Sequence, residues 1–586
     1  MSIYSKVENF EGLNPLLATD FYKSVHHLAY VPGMDYLVSY WTPRMSRFHK
    51  IDKVVMFGLQ ALIKKHLMYN FEKYFFGRSW FEIEAEYHRV LENSMTVQAA
   101  DTTELKRLYD LGYLPIRISA IAEGTRVNIK TPMFEIRNTV KGFGWLVNYL
   151  ETYMSVNIWH IMTTATIAYA YREIVDKFFD KTVENGVKSS ACGDFSMRGM
   201  TSPEAAYRGS AGHLTSFTGT ATIGAIPWME TFYNCDCTKE VVGKGVPSTE
   251  HSVMSSYGRD GEFECYRHLI EDVFKTGPLS IVSDTYDYWN VITNYLPRLK
   301  DSIMKRNGKI IIRGDSGDPV DIICGELEAS DYMVIDGLAD DVEEIKKYFA
   351  KKAETEFTGN ANAVWYRVRI GDNLYTVNCP YAMDVCEDDP DDYELVPVVH
   401  LFDIEVECEK ITPAMKGTVE LLWEIFGGTI NSKGYKVLDP HIGAIYGDSI
   451  TMDRAYAIYK RLADKGFAVN NCTLGIGSYT YQYMTRDSLG FALKATHSVV
   501  DGVERQIYKD PITDKVKGNN FKKSQRGMCY VYRDGDDILY KDGLTMEDMK
   551  KPEYADNLLR PVFEDGKLLV DESLSEIRNR LHNGKF

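Results

Sequence analysis

Four short apolar runs stand out in the second half of the chain: Pro278–Ser283 (PLSIVS), Lys309–Arg313 (KIIIR), Ile442–Tyr446 (IGAIY) and the weaker Cys472–Gly475. Each is too short for a buried helix and reads as a buried strand. Helical stretches follow three of them, at Tyr288–Arg306, Met452–Lys465 and Tyr481–Ser488. Polar residues come directly after the runs: Asp284, then Arg313 and Asp315, then Gly447 and Asp448, then Gly477 and Ser478. Repeated β-α units with polar groups at the strand C-termini predict a parallel α/β sheet or barrel. Such folds bind their ligands at that rim, so the pattern by itself nominates a site.

The first part of the chain is less regular. Val54–Tyr69 reads as helical, Pro115–Ala122 and Met133–Asn138 as strands, and Gly142–Phe179 as one long buried helix or a kinked pair. Residues 321–415 break the later rhythm, being acidic and strand-like. They include a hairpin over 365–377 turning at Gly371-Asp372-Asn373, and an acidic solvated loop at 387–392. The expected organisation is a mixed α+β segment over 1–145, an α/β domain from 146–320 and 416–490, an inserted acidic β-rich subdomain over 321–415, and a C-terminal segment, 491–586.

Composition narrows the function classes. A chain of 586 residues with 45% hydrophobic and 12% aromatic content builds large cores in two or three domains. The formal net charge of -16 argues against non-specific nucleic-acid binding, but a basic pocket for a phosphorylated small molecule can sit on an acidic protein. The ten cysteines are scattered, and the single C-x-C pair, Cys235 and Cys237, lacks the second half of a zinc site. The N-terminus has no signal-peptide pattern, and no window approaches the ~18 apolar residues of a membrane span. A cytoplasmic protein with reduced thiols is expected.

Four segments carry candidate chemistry. In 311–319 (IIRGDSGDP), a strand ending in Arg313 enters a turn with Asp315. Arginine offers a planar fork for phosphate or carbonyl oxygen, and aspartate accepts from ribose hydroxyls or holds Mg²⁺; a structural ion pair is the alternative. Glu250-His251-Ser252 suits a catalytic or phosphorylated histidine, or a structural one. Gly475-Ile476-Gly477-Ser478 entering a helix suits phosphate oxygens, although glycine turns are common. Arg486, Lys494, Lys509, Lys515, Lys517, Lys522, Lys523 and Arg526 gather late in the chain. Segment 515–527 reads as a mobile loop fit for a polyanion, or as a solvated basic loop.

Taken together, these segments resemble the nicotinamide phosphoribosyltransferase family. The matching pieces are residues 16–23 (LLATDFYK), 57–60 (FGLQ), Asp194-Phe195 with Arg198-Gly199, 217–220 (FTGT), 250–252 (EHS), 283–287 (SDTYD), Ile312-Arg313 with Asp315-Ser316-Gly317, Gly447-Asp448, 485–487 (TRD) and 509–511 (KDP). The resemblance covers nearly the whole chain except about 320–415. It implies the type II phosphoribosyltransferase fold: an incomplete or irregular TIM-like α/β barrel with a discontinuous antiparallel β domain, built here from the first and last segments.

The resemblance also implies roles. Phe195 and Tyr22, the latter from the other subunit of a homodimer, would sandwich nicotinamide, with Asp20 and Ala221 beside it and Arg313 on the carboxamide oxygen. Asp315, Gly447 and Asp448 would face the ribose. Arg198, Lys494, Lys509 and Lys517 would meet the pyrophosphate, and Arg44, Arg486, Gly477 and Ser478 the 5′-phosphate. His251 would be phosphorylated by ATP, an optional activator, with Asp284 orienting it and Glu250 alongside. Mg²⁺ would be held mainly by the pyrophosphate. The implied reaction joins nicotinamide to phosphoribosyl pyrophosphate, giving nicotinamide mononucleotide and pyrophosphate in NAD salvage.

The chain departs from the family pattern at four places. Ala221 stands where an aspartate usually accepts from the carboxamide NH₂. Gly245 stands for serine, Gly314 for proline, and Ser478 for a glycine of the phosphate turn. The altered rim, with the 321–415 segment following directly from the Arg313–Asp315 strand end, keeps open a larger donor such as ADP-ribose pyrophosphate giving NAD directly; Ala221 keeps open nicotinate as acceptor; and a non-catalytic regulatory protein on the same scaffold is the further reading, since a fold does not fix a function.

Overall fold

A computed structural model describes residues 3–358, 361–385, 395–447, 449–509 and 524–586. Asp448, Lys515, Lys517, Lys522, Lys523 and the acidic loop 387–392 lie outside these residues. The chain divides into two compact bodies: residues 1–173, 188–245 and 476–586, and residues 174–187 with 246–475.

The first body is built on an antiparallel sheet whose strands run in the order Val503–Gln506, Phe491–Val500, Met34–Pro43, Phe134–Asn138, Ile116–Ala120, Arg560–Glu564 and Lys567–Leu568. Segments from both ends of the chain thus pair side by side: Trp41 lies opposite Phe134 on one neighbour and Leu493 on the other. Its ring stacks on Phe134 and Phe491 at centroid distances of 5.8 and 5.2 Å, contacts worth about 0.5–1.5 kcal/mol each beyond burial. The same body holds a parallel pair, Cys192–Asp194 with Gly219–Thr220.

The helix expected over Val54–Tyr69 begins only at Leu59, after a short strand at Lys53–Val55. Gly58 interrupts it: its φ is +102°, and a Cβ there would lie 2.4 Å from Ile161. The turn is held by the buried Glu123 carboxyl, which accepts from Gly58 N (3.1 Å), Gln60 N (2.7 Å) and Tyr233 Oη (3.0 Å). Burial pushes the Glu123 carboxyl up to about 7 against these donors. The Phe57–Gln60 motif is therefore an architectural clamp. The run 142–179 forms two helices, Gly144–Tyr149 and Glu151–Thr182.

The second body carries four parallel strands in the order Cys472–Ile476, Ile442–Tyr446, Ile310–Gly314, Leu279–Val282. Helices follow at Tyr288–Lys305 and Met452–Asp464. The fold is thus mixed α/β with a parallel sheet. Within 321–415 the hairpin turns as read, with Ile370 opposite Asn373 and Glu405–Lys410 added as a third strand. The strand-like reading missed the helix Val342–Glu356. Ile345, Phe349 and Ala353 recur at four-residue spacing along it and are buried against Tyr366, Val368 and Val377. No helix among the described residues is long and apolar enough to cross a membrane.

Candidate active site

The residues nominated by the sequence divide between the two bodies. In the first, a carboxylate shapes the turn that presents Phe195. Asp194 ends its strand fully buried and accepts from Ser196 N (3.0 Å), Ser196 Oγ (2.6 Å), Ser210 Oγ, Thr220 Oγ1 (3.3 Å) and Thr222 Oγ1 (3.4 Å). Its carbonyl accepts from Ala221 N at 2.8 Å, and Phe195 N donates to Ile476 O at 2.9 Å. Phe195 is thereby held half-buried, with Arg198 and Ala221 exposed. A Cβ on Gly199 would lie 2.0 Å from Ser478 Oγ, so this glycine lets the Phe195 turn close onto the Gly477-Ser478 turn. Gly477 faces open space.

The helix expected over Tyr481–Ser488 is instead a four-residue turn, Ser478–Tyr481, and a separate 3₁₀ turn, Arg486–Ser488. The Tyr481 carbonyl accepts from His160 Nε2 at 2.8 Å, and its buried hydroxyl meets His213 Nδ1 at 2.7 Å. These bonds anchor the residue at which the helix stops. Burial pushes both histidines down to about 4.

A second group in the same body surrounds Glu151. Lys23 Nζ lies 2.7 Å from this carboxylate and Lys494 Nζ 3.2 Å. Tyr22 is 53% exposed, and its phenol is pushed up by partial burial and by Glu151 and Asp20, against the pull of Arg486. Arg44 donates from Nε to Gly490 O at 3.0 Å, and burial and Arg486 weaken its hold on its proton. Tyr22, Arg44, Arg486 and Lys494 thus share one electrostatic neighbourhood. Asp20 Oδ2 accepts from Thr152 Oγ1 at 2.6 Å. Lys509 is exposed and exchanges hydrogen bonds with Ser524 (2.9 and 3.2 Å), beside the undescribed 510–523.

In the second body, His251 opens a short helix and is half-exposed. Its Nδ1 meets Thr285 Oγ1 at 3.1 Å, and its Nε2 lies 3.8 Å from Asp284 Oδ1, an ion-pair distance rather than a hydrogen bond. Asp284 Oδ2 accepts from Asp315 N at 3.1 Å, while Oδ1 is buried without a hydrogen-bond partner among the described residues. Arg313 Nε lies 3.3 Å from Asp315 Oδ2. Glu250 accepts from Ser252 Oγ, and Gly447 is half-buried at the end of its strand. A cavity of about 580 Å³ is lined by Asp284, Arg259, Tyr286, Ser316 and Gly317. Among the described residues no cluster of three histidine, cysteine or carboxylate side chains could hold a metal ion.

Residues 190–369 and 399–567 match the nicotinate phosphoribosyltransferase (NAPRTase) family, and residues 14–71 match the N-terminal domain of nicotinamide phosphoribosyltransferase. The chain is 38% identical over 584 residues to nicotinamide phosphoribosyltransferase of Acinetobacter baylyi, covering 97% of each. The chain belongs to the nicotinamide phosphoribosyltransferase family. Its identity to the Xanthomonas campestris nicotinamide phosphoribosyltransferase is 27% over 576 residues, covering 96% of this chain and 97% of the relative. The crystal structure of human nicotinic acid phosphoribosyltransferase is 14% identical and covers 97% of this chain and 93% of that one, with a TM-score of 0.49.

Membership in the nicotinamide phosphoribosyltransferase family reaches further along the chain than the motifs do. They leave 320–415 aside, whereas the match to the nicotinate phosphoribosyltransferase family runs to 369 and resumes at 399. Residues 321–415 are about a sixth of the chain, so a relative matched over 97% of both lengths carries most of this segment too. Within this nicotinamide phosphoribosyltransferase-family chain, motif reading overlooked Glu151 and the Ser210 and Thr222 hydroxyls around Asp194. Their signal is three-dimensional: Ser210 is sixteen residues from Asp194, and Lys494 is 343 residues from Glu151.

Proposed function

We propose that the protein is a pentosyltransferase that joins nicotinamide to phosphoribosyl pyrophosphate, yielding nicotinamide mononucleotide and pyrophosphate in NAD salvage. The observation that carries this is the near-full-length match to a relative bearing that activity's name, on a chain that keeps Phe195, Arg313, Asp315 and the cationic set. The pyridine nitrogen already has a lone pair, so the reaction needs no strong base. It needs the ring oriented and the leaving pyrophosphate stabilised. Phe195 supplies a rigid ring face, with Tyr22 for the opposite one. Arg313 presents an Nε that makes no hydrogen bond among the described residues, which suits a carboxamide oxygen. Asp315 would meet the ribose hydroxyls. Arg44, Arg198, Arg486, Lys494 and Lys509 supply positive charge for the phosphates, with Lys517, Gly447 and Asp448 carried over from the resemblance.

Mg²⁺ would enter held mainly by the pyrophosphate. ATP is read as an activator through His251, whose exposure and contact with Thr285 suit phosphorylation and which has Asp284 at ion-pair distance. His251→Ala is expected to abolish ATP stimulation while leaving slow transfer; an unchanged ATP response refutes this role. A homodimer is supported by exposed Phe21, Tyr22, Val156, Tyr479 and Tyr483 on the first body. The parallel strands of the second body are read as part of the irregular barrel, with 321–415 inserted into it. The nine described cysteines form no disulfide, which suits the cytoplasm.

The alternatives are less favoured. The segment that prompted a larger donor is shared with a relative named for the mononucleotide-forming reaction. Ala221 still motivates a comparison of acceptors. The ratio of kcat/KM for nicotinamide over nicotinate is expected to exceed tenfold, and a ratio below one would overturn the amide assignment.

A further inference from the structure

The first body holds a second cavity, of about 340 Å³, that shares no residue with the candidate site. That is within the usual range for a small-molecule pocket. Its walls are mainly apolar, with Leu59, Ile63, Ile121, Val562, Leu568 and Val570 prominent. Five charged side chains line it. Glu123 is saturated by two backbone N–H groups and a tyrosine hydroxyl. Glu572 and Arg580 pair with each other, and Arg580 also donates to the Glu123 carbonyl. Arg533 and Arg560 are exposed and have no ion-pair or side-chain hydrogen-bond partner among the described residues. They come from different elements, the strands Met528–Asp534 and Arg560–Glu564. In a chain of net charge -16, two unpaired guanidinium groups converging on one apolar cavity are an unmet demand for an anion.

We propose that this cavity binds a small anion with an apolar body, its carboxylate, phosphate or sulfonate held by Arg533 and Arg560 and its hydrocarbon part lying against Leu59, Ile63 and Val562. The committed pairs leave no unused charge for a cationic ligand, and the walls disfavour a ligand polar throughout.

Fluorescence titration of the full-length protein with 1-anilinonaphthalene-8-sulfonate tests this. One saturable site per chain is expected, weakened at least tenfold in the Arg533→Gln/Arg560→Gln variant and abolished by Val562→Trp, which fills the cavity. Decanoate is expected to displace the dye at least tenfold better than decanol, which keeps the body and lacks the charge. Inorganic phosphate is expected not to compete at millimolar concentration. Thermal unfolding of each variant separates loss of the site from loss of the fold; the arginines are exposed, so the double variant is expected to stay folded. Absence of saturable binding, binding unchanged in both variants, or equal displacement by decanol and decanoate overturns the proposal.

Discussion

Replacing Asp194 with alanine tests how the nicotinamide end of the candidate site is held. The carboxylate accepts five hydrogen bonds inside the first body while fully buried. Three are well formed, from the Ser196 amide and from the Ser196 and Ser210 hydroxyls; the two from threonines are long. Hydrogen bonds to a charged acceptor are worth about 1.5–3 kcal/mol each. Relief from burying a charge returns several kcal/mol. The net expectation is a loss of about 2–4 kcal/mol for Asp194→Ala and about half that for Asp194→Asn, which keeps one acceptor oxygen. Phe195 would keep its N–H hydrogen bond to the Ile476 carbonyl but lose the turn that aims its ring. The KM for nicotinamide should then rise about tenfold, corresponding to about 1.4 kcal/mol. Urea unfolding followed by tryptophan fluorescence, with steady-state kinetics on the same preparations, measures both. A stability change under about 1 kcal/mol with KM within twofold of the parent would refute the claim that this carboxylate organises the site.

Three further outcomes are expected. Glu123 holds its proton to about 7 in the fold against an ordinary value of 4.5. Its contribution to stability is therefore full below 4.5 and lost as pH rises through 7, at most about 3.5 kcal/mol at about 1.4 kcal/mol per pH unit; this component of the pH–stability curve should vanish in Glu123→Gln, and identical slopes in both proteins would contradict it. Ala221 is exposed, with its amide bonded to the Asp194 carbonyl, so Ala221→Asp should fold normally. It should raise amide-over-acid selectivity about tenfold in paired kcat/KM measurements, and an unchanged ratio removes position 221 from the acceptor site. Tyr22→Ala and Arg313→Ala, each inactive alone, should recover up to about a quarter of parental activity after subunit exchange if sites are shared in a dimer; no recovery in verified mixed dimers rules sharing out.

Much of the second body was legible in the chain. The apolar runs at 279–282, 310–314 and 442–446 are strands, because apolar runs that short are more readily buried within a parallel sheet than as helices. Local patterning failed where a distant contact decides the outcome. Gly58 breaks a helical pattern because Ile161 leaves no room for a Cβ, and the helix expected over Tyr481–Ser488 does not form: a short helical turn ends at Tyr481, which is tied to His160 and His213. The helix Val342–Glu356 was missed for another reason: its apolar stripe is diluted by lysine and glutamate, so acidity was read ahead of period. At the candidate site, residue types were legible from motifs. Asp194 as the centre of a hydroxyl cage, and Glu151 beside Lys23 and Lys494, become visible only when the strands are paired.

The central claim concerns which bond the protein makes. Mass spectrometry of the products from ring-labelled nicotinamide, incubated with Mg²⁺ and either phosphoribosyl pyrophosphate or ADP-ribose pyrophosphate, tests it most directly. Labelled nicotinamide mononucleotide with stoichiometric pyrophosphate from the first donor, and no labelled NAD from the second, is the predicted result. Labelled NAD from the second donor, or no product from the first, would contradict it.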